Sequence, residues 1–147
     1  MDLNILLEKQ RNLNFIEQVL KKKAQSHPER ALHLPQNLSD MQDTLEELSL
    51  ELKSDVISKI KQTDLKEDVF FQNGADVELY RHLRYLPASW HSHTFIEIVC
   101  VFEGTCTNYI QDKKIHMIPG DICIISPNTR HCVSAFSDDS IIINIEL

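Results

Sequence analysis

From Asp76 onward the chain breaks into short runs of β-branched, aromatic and aliphatic residues, several of them alternating with polar ones. The runs cover 77–86, 95–103, 106–111, 114–118, 121–126, 131–136 and 140–146. Gly104, Asp112-Lys113, Pro119-Gly120, Pro127-Asn128 and Ser137-Asp138-Asp139 stand between them, and such residues mark turns. Strands this short cannot bury a core face singly, and an open sheet would leave unpaired edges exposed. Closure into a sandwich or barrel removes those edges, so the second half of the chain is expected to be mainly β.

The first half has a different period. Leu6, Leu13 and Leu20 recur every seven residues, and Leu3, Ile16 and Val19 widen the same stripe. Pro28 and Pro35 interrupt it, because proline lacks the amide proton and clashes with the preceding turn. Ser39 and Gln42 have the spacing of a capping box ahead of Leu45, Leu48, Leu52, Val56 and Ile60. Helices are therefore expected near 3–24 and 40–62. They would pack on the β region, on each other, or across a dimer seam.

Charge and composition exclude several roles for the residues at hand. Residues 1–69 hold 10 basic and 13 acidic side chains, and residues 70–147 hold 5 and 9, so the halves carry −3 and −4 of the net −7. A nucleic-acid footprint needs clustered positive charge. The one cationic run, Lys21-Lys22-Lys23, falls at a helix end, where the backbone dipole favours it. No apolar run approaches the roughly 18–20 residues of a membrane span, and the start MDLNILLEKQ lacks a secretory core. A cytoplasmic protein with no membrane partner is expected. Cys100, Cys106, Cys123 and Cys132 form no C-x-x-C pair and read as reduced structural thiols. The very apolar ending IIINIEL predicts that the chain is the N-terminal part of a longer protein.

The residues that carry chemistry are His91, His93, Glu97 and His131. His91 and His93 are two apart, so an extended backbone points them to one side. Imidazoles with a carboxylate suit one divalent transition metal (Zn, Ni, Mn or Fe) better than Ca or Mg. A polar ligand-recognition cluster without metal, or histidines serving only structure, fit the same residues. Convergence has a geometric condition. A straight strand would hold positions 93 and 97 roughly 13 Å apart at about 3.3 Å per residue, so Thr94-Phe95-Ile96 must turn or bulge. Phe95 and Val99 share the parity of Glu97 and read as core or as apolar pocket wall. Trp90 reads as mouth-lining, for instance under a sugar, or as ordinary packing. Arg81 and Arg84 read as strand-surface ion pairs or as contacts to an acidic effector, and His82 and His116 as surface or inter-strand groups.

At these residues the sequence resembles a known family. HSHTFIEIVCVFEG (91–104) is similar to the first cupin motif and GDICIISPNTRH (120–131) to the second, with the fifteen intervening residues of a small cupin. The sequence departs from the pattern at Tyr85 and Asn128, where the motifs have glycine, at Ser126, where they have proline, and at Ala135, where they have asparagine. The same segments resemble the sensor domains of AraC-family transcription regulators. The resemblance implies a cupin-type double-stranded β-helix barrel over 69–147, preceded by a helical extension over 1–68. It further implies a small-molecule effector (a sugar among the candidates), a homodimer, and a helix-turn-helix domain beyond Leu147 as the only route to DNA. Trp90, Phe95 and Val99 are the expected ligand contacts, and His91, His93, Glu97 and His131 the expected metal or polar cluster. The rival expectation is a free-standing metal-dependent cupin enzyme of isomerase or dioxygenase type, with the same four residues holding the metal.

Overall fold

The computed structural model describes residues 10–26, 64–65, 76–86, 88 and 90–147. Its elements are α1 (Phe15–Ser26), β1 (Asp64–Leu65), β2 (Glu78–Arg81), β3 (Ser92–His93), β4 (Glu97–Glu103) and β5 (Cys106–Ile110). They continue with β6 (Lys113–Met117), β7 (Ile122–Ile125), β8 (His131–Ser134) and β9 (Ile141–Glu146). The expected helix 40–62 and its Ser39–Gln42 cap, like His27 and His33, lie outside the described residues.

Strands β2-β9-β4-β7 make one antiparallel sheet and β6-β5-β8 a second. Their inward rows form one apolar core. Val99 and Val101 on β4, Ile125 and Ile142 meet Cys106, Met117, Val133 and Ala135. Alternation places these side chains inward at every second position. The outward row of the four-stranded sheet is also apolar: Leu79, Phe102, Ile122 and Ile124 are all exposed. Every turn expected from the sequence between β4 and β9 is present. The expected strand 77–86 is shorter, because the backbone leaves the sheet after Arg81 and reaches φ 63° at Tyr85. Asn128 has φ 60°. Both non-glycine residues thus keep the left-handed backbone at positions where the cupin motifs have glycine. Parallel pairing of β1 with β3 was not legible in the sequence.

The expected helix 3–24 is interrupted at residues 12–14 and restarts at Phe15. The Glu17 amide donates to Asn14 Oδ1 at 2.9 Å, and the Asn14 amide donates to Glu17 Oε2 at 3.0 Å. This reciprocal capping box satisfies two amides that have no intrahelical partner.

Glu17 also fastens the helix to the β region. It is fully buried, as is Arg84. Arg84 donates to Glu17 from Nε (3.0 Å), Nη2 (2.9 Å) and its own backbone amide (3.1 Å), and Arg81 adds a bond of 2.9 Å. The remaining Arg84 donors reach the carbonyls of Gln10, Arg11, Asn12 and Asp138. Arg84 is therefore the buried centre of the helix junction, not a strand-surface ion pair, because five donors in one plane can satisfy carbonyls from two segments together. An outer pair of contacts, Arg11 to Glu103 at 2.7 Å and Lys21 to Asp138, flanks it.

Two outcomes follow from this architecture. Burial alone would raise the Glu17 carboxyl, but the guanidinium and amide donors outweigh it and hold its pKa at about 2. The stabilisation it supplies is complete above its ordinary 4.5 and is lost as pH falls toward about 2. Glu17→Gln should lower stability at neutral pH by about 3–5 kcal/mol, since Arg84 is left buried without its counter-ion. It should also flatten the acid limb of a stability–pH curve measured by urea unfolding. At Gly104 (φ 64°) an added Cβ would lie 2.6 Å from Ser140 Cα and 2.7 Å from its amide nitrogen. Gly104→Ala should cost about 1–3 kcal/mol, read as a lower urea midpoint at unchanged slope.

Candidate functional site

Four local features bring the chemistry together. His91 and His131 form a hydrogen-bonded antiparallel bridge, each amide donating to the other's carbonyl at 3.0 Å. Their rings are consequently neighbours, with centroids 4.3 Å apart. After His93 the chain bends at Thr94 and Phe95, so residues 91–99 are not one flat strand. The Asn128 amide ties the second turn to the His93 carbonyl at 2.7 Å. Glu97 then opens β4, paired with Glu146 on one side and Ile125 on the other.

The Glu97 carboxylate sits at the focus. His131 Nε2 is 2.8 Å and His93 Nε2 3.2 Å from Oε2, while Asn144 Nδ2 and the Tyr80 hydroxyl (3.3 Å) donate to Oε1. His93 Nδ1 donates to the Phe95 carbonyl at 2.8 Å, and His131 Nδ1 to the Thr129 carbonyl at 2.9 Å. A carbonyl accepts only, so both Nδ1 atoms carry the proton. In the neutral ring each Nε2 is then a lone pair facing an anionic oxygen. Such an arrangement calls for a proton between the partners, on a ring or on the carboxyl, or for a metal ion. Burial pushes the Glu97 pKa up, yet the bonds from His131 and His93 and the charges of His131 and His91 bring it well below the carboxylate range.

The ligand atoms of His91, Glu97 and His131 all lie within 4.8 Å of one another. This nitrogen and oxygen set fits a divalent transition metal. His93 touches Glu97 but stays outside that trio, with its ring 6.2 Å from that of His91. Of the expected ligand contacts, Phe95 is buried and stacks on the His93 ring at 4.2 Å and 7°. Val99 is fully buried in the core. Trp90 is half-buried, edge-on to Tyr109 at 6.4 Å, with the Arg130 guanidinium 5.5 Å from its centroid.

Several contributors escaped sequence reasoning. Asn144 and Tyr80 hold the second carboxylate oxygen, and burial with the charges of Glu97 and Glu146 pushes the Tyr80 phenol well above its ordinary range. A single asparagine inside IIINIEL was the available signal. His82, read as a surface or inter-strand group, is half-buried: its Nε2 is buried without a hydrogen-bond partner, and burial lowers its pKa to about 4 against the opposing pull of Glu97 and Glu17. His116 is exposed, as expected. Asp121 accepts from the Ile118 amide at 2.9 Å and closes its own turn.

Two facing antiparallel sheets, a short N-terminal helix and this inward cluster define a mainly β protein. The family model described as the AraC-like ligand binding domain matches residues 79–141. Among solved structures, the chain is similar to a cupin-like protein from Thermotoga maritima (25% identity, 51% of this chain and 60% of that one, TM-score 0.41). It is also similar to an HTH_3 family transcriptional regulator from Vibrio cholerae (18%, 48% and 42%, TM-score 0.42). A third is KdgF from Halomonas sp. (19%, 52% and 91%, TM-score 0.39). No curated protein matches the chain. Among the described residues, no helix is long and apolar enough to cross a membrane.

The four cysteines are free thiols, two of them fully inside the core. Burial raises Cys106 to about 11 and Cys132 to about 12, with smaller upward shifts at Cys100 and Cys123. Thiolate is the reactive form. Iodoacetamide at pH 8 should therefore leave Cys106 and Cys132 unmodified in the folded protein and alkylate both in urea, as read by peptide mass spectrometry.

Proposed function

We propose that residues 69–147 form the effector-sensing barrel of an AraC-like transcription regulator, with residues 1–68 as its helical extension. The observation that carries the reading is the Glu97-centred cluster enclosed by the strands that the AraC-like ligand-binding family model covers. A small polar effector would enter beside Trp90, meet the His91, His93, Glu97 and His131 cluster, and pack against Phe95 and Val99. The protein would act as a cytoplasmic homodimer and would reach DNA only through a helix-turn-helix domain beyond Leu147. The acidic net charge of the present residues fits that division of labour.

His91, Glu97 and His131 are the residues that would hold a divalent transition metal. A bound ion would act as a Lewis acid toward an oxygen ligand. The protein's own groups set the stage for it: backbone carbonyls orient the His93 and His131 rings, and Asn144 and Tyr80 fix the carboxylate. That same trio supports the second reading, a metal-dependent cupin enzyme, since a metal centre serves catalysis as readily as recognition.

Calorimetric titration of the metal-free protein with Zn, Mn, Ni or Fe(II) tests the cluster. One ion per chain is expected, and His131→Ala should weaken it by more than the roughly 10- to 100-fold that losing an outer-shell partner costs. Absence of uptake would leave recognition to the polar groups alone. Turnover of a sugar phosphate or catechol by the loaded protein would overturn the sensor reading in favour of the enzyme. A complete coding sequence without two helix-turn-helix patterns after Leu147 would equally overturn it.

A further inference from the structure

Beside the Glu97 cluster, the interior holds polar atoms that the fold leaves unsatisfied. Asn108 on β5 is 0% exposed, and neither its Nδ2 nor its Oδ1 has a hydrogen-bond partner. Asn144 on β9, in the opposite sheet, spends its Nδ2 on Glu97 and Tyr80 but leaves its buried Oδ1 without a partner. Buried amide atoms are nearly always paired, because burial removes the water that would otherwise serve them. Strand register shows where Asn108 lies. It is the cross-strand partner of Val133, and the next inward pair along the same two strands is Ile110 with His131. Asn108 is thus one inward step from a histidine of the cluster, and Asn144 is bonded to the cluster's carboxylate.

We infer that Asn108 and Asn144 form the polar floor of the effector site, taking a small neutral molecule that offers two hydrogen-bond donors and one acceptor. This rests on the sensor reading and specifies its ligand. The orphan atoms set the count: two carbonyl oxygens accept, and one amide nitrogen donates. A primary carboxamide has that complement in one planar group, and a vicinal diol has it in two hydroxyls. Charged groups fit poorly here. Neither asparagine can neutralise an ion, and their cross-strand neighbours, Val133 opposite Asn108 and Val99 opposite Asn144, offer no counter-charge. An apolar side chain at position 108 would suit the ligand-free core better, so the asparagine is a cost to the empty barrel that a guest offsets.

Thermal unfolding of the full chain tests this, with nicotinamide as the carboxamide probe and D-xylose as the diol probe, each at millimolar concentration. Asn108→Leu should unfold about 4–8 °C higher than the parent without ligand, because an unsatisfied buried amide is gone. It should also lose the upward shift that one of the two probes gives the parent. Asn108→Val, with a smaller side chain suited to a strand, guards against a misfit of leucine. Both variants unfolding below the parent would overturn the inference, since the amide would then be serving a structural water. A parent that shifts with neither probe would overturn the ligand class. A shift retained in both Asn108 variants but lost in His131→Ala would overturn the role of Asn108 and leave the sensor reading standing.

Discussion

One carboxylate oxygen facing two imidazole nitrogens organises this molecule. The fold presents Glu97 Oε2 to His131 and His93 while holding the far nitrogen of each ring on a backbone carbonyl. The rings cannot rotate away without breaking those carbonyl bonds, and the carboxylate cannot leave without abandoning Asn144 and Tyr80. The need for a proton or a metal at that point is therefore built into the backbone path. The bend at Thr94-Phe95, the His91–His131 bridge and the tie from Asn128 to His93 all place side chains for this contact.

A second buried anion links the helical segment to the barrel. Glu17 caps its own helix with one set of bonds and grips Arg84 and Arg81 with another, so helix formation and docking use the same carboxylate. Burial lowers the pKa of His82 to about 4, while the charges of Glu97 and Glu17 pull the other way.

The strand-and-turn pattern from Asp76 on was legible because turn residues and alternating rows act locally. The His-x-His, Glu and late His were legible because their residue types and spacing are unusual in strands. Arg84 was misread because its neighbours in sequence resemble an ordinary strand surface, whereas its partners come from residues 10–17 and 138. Asn14 and Glu17 did carry a local sign, the N-x-x-E spacing of a capping box, which the heptad-like leucine stripe obscured. Asn144 had no such sign beyond being polar in an apolar run, and Asn108, between Thr107 and Tyr109, had none.

By itself, then, the sequence determined the β character of the second half, its turns, and which four side chains could share one focus. Those properties depend on backbone preference and on spacing along a few residues. Only the tertiary structure decided that His91, Glu97 and His131 bring their ligand atoms within 4.8 Å of one another while His93 bonds the carboxylate from outside that group, and that Glu17 and Arg84 are buried together. It alone decided that both amide atoms of Asn108 and the Oδ1 of Asn144 lie buried without a partner. Each of these depends on which distant strand lies opposite; a local turn fixes the register of a hairpin, but the partner of a strand far away in sequence is a long-range choice.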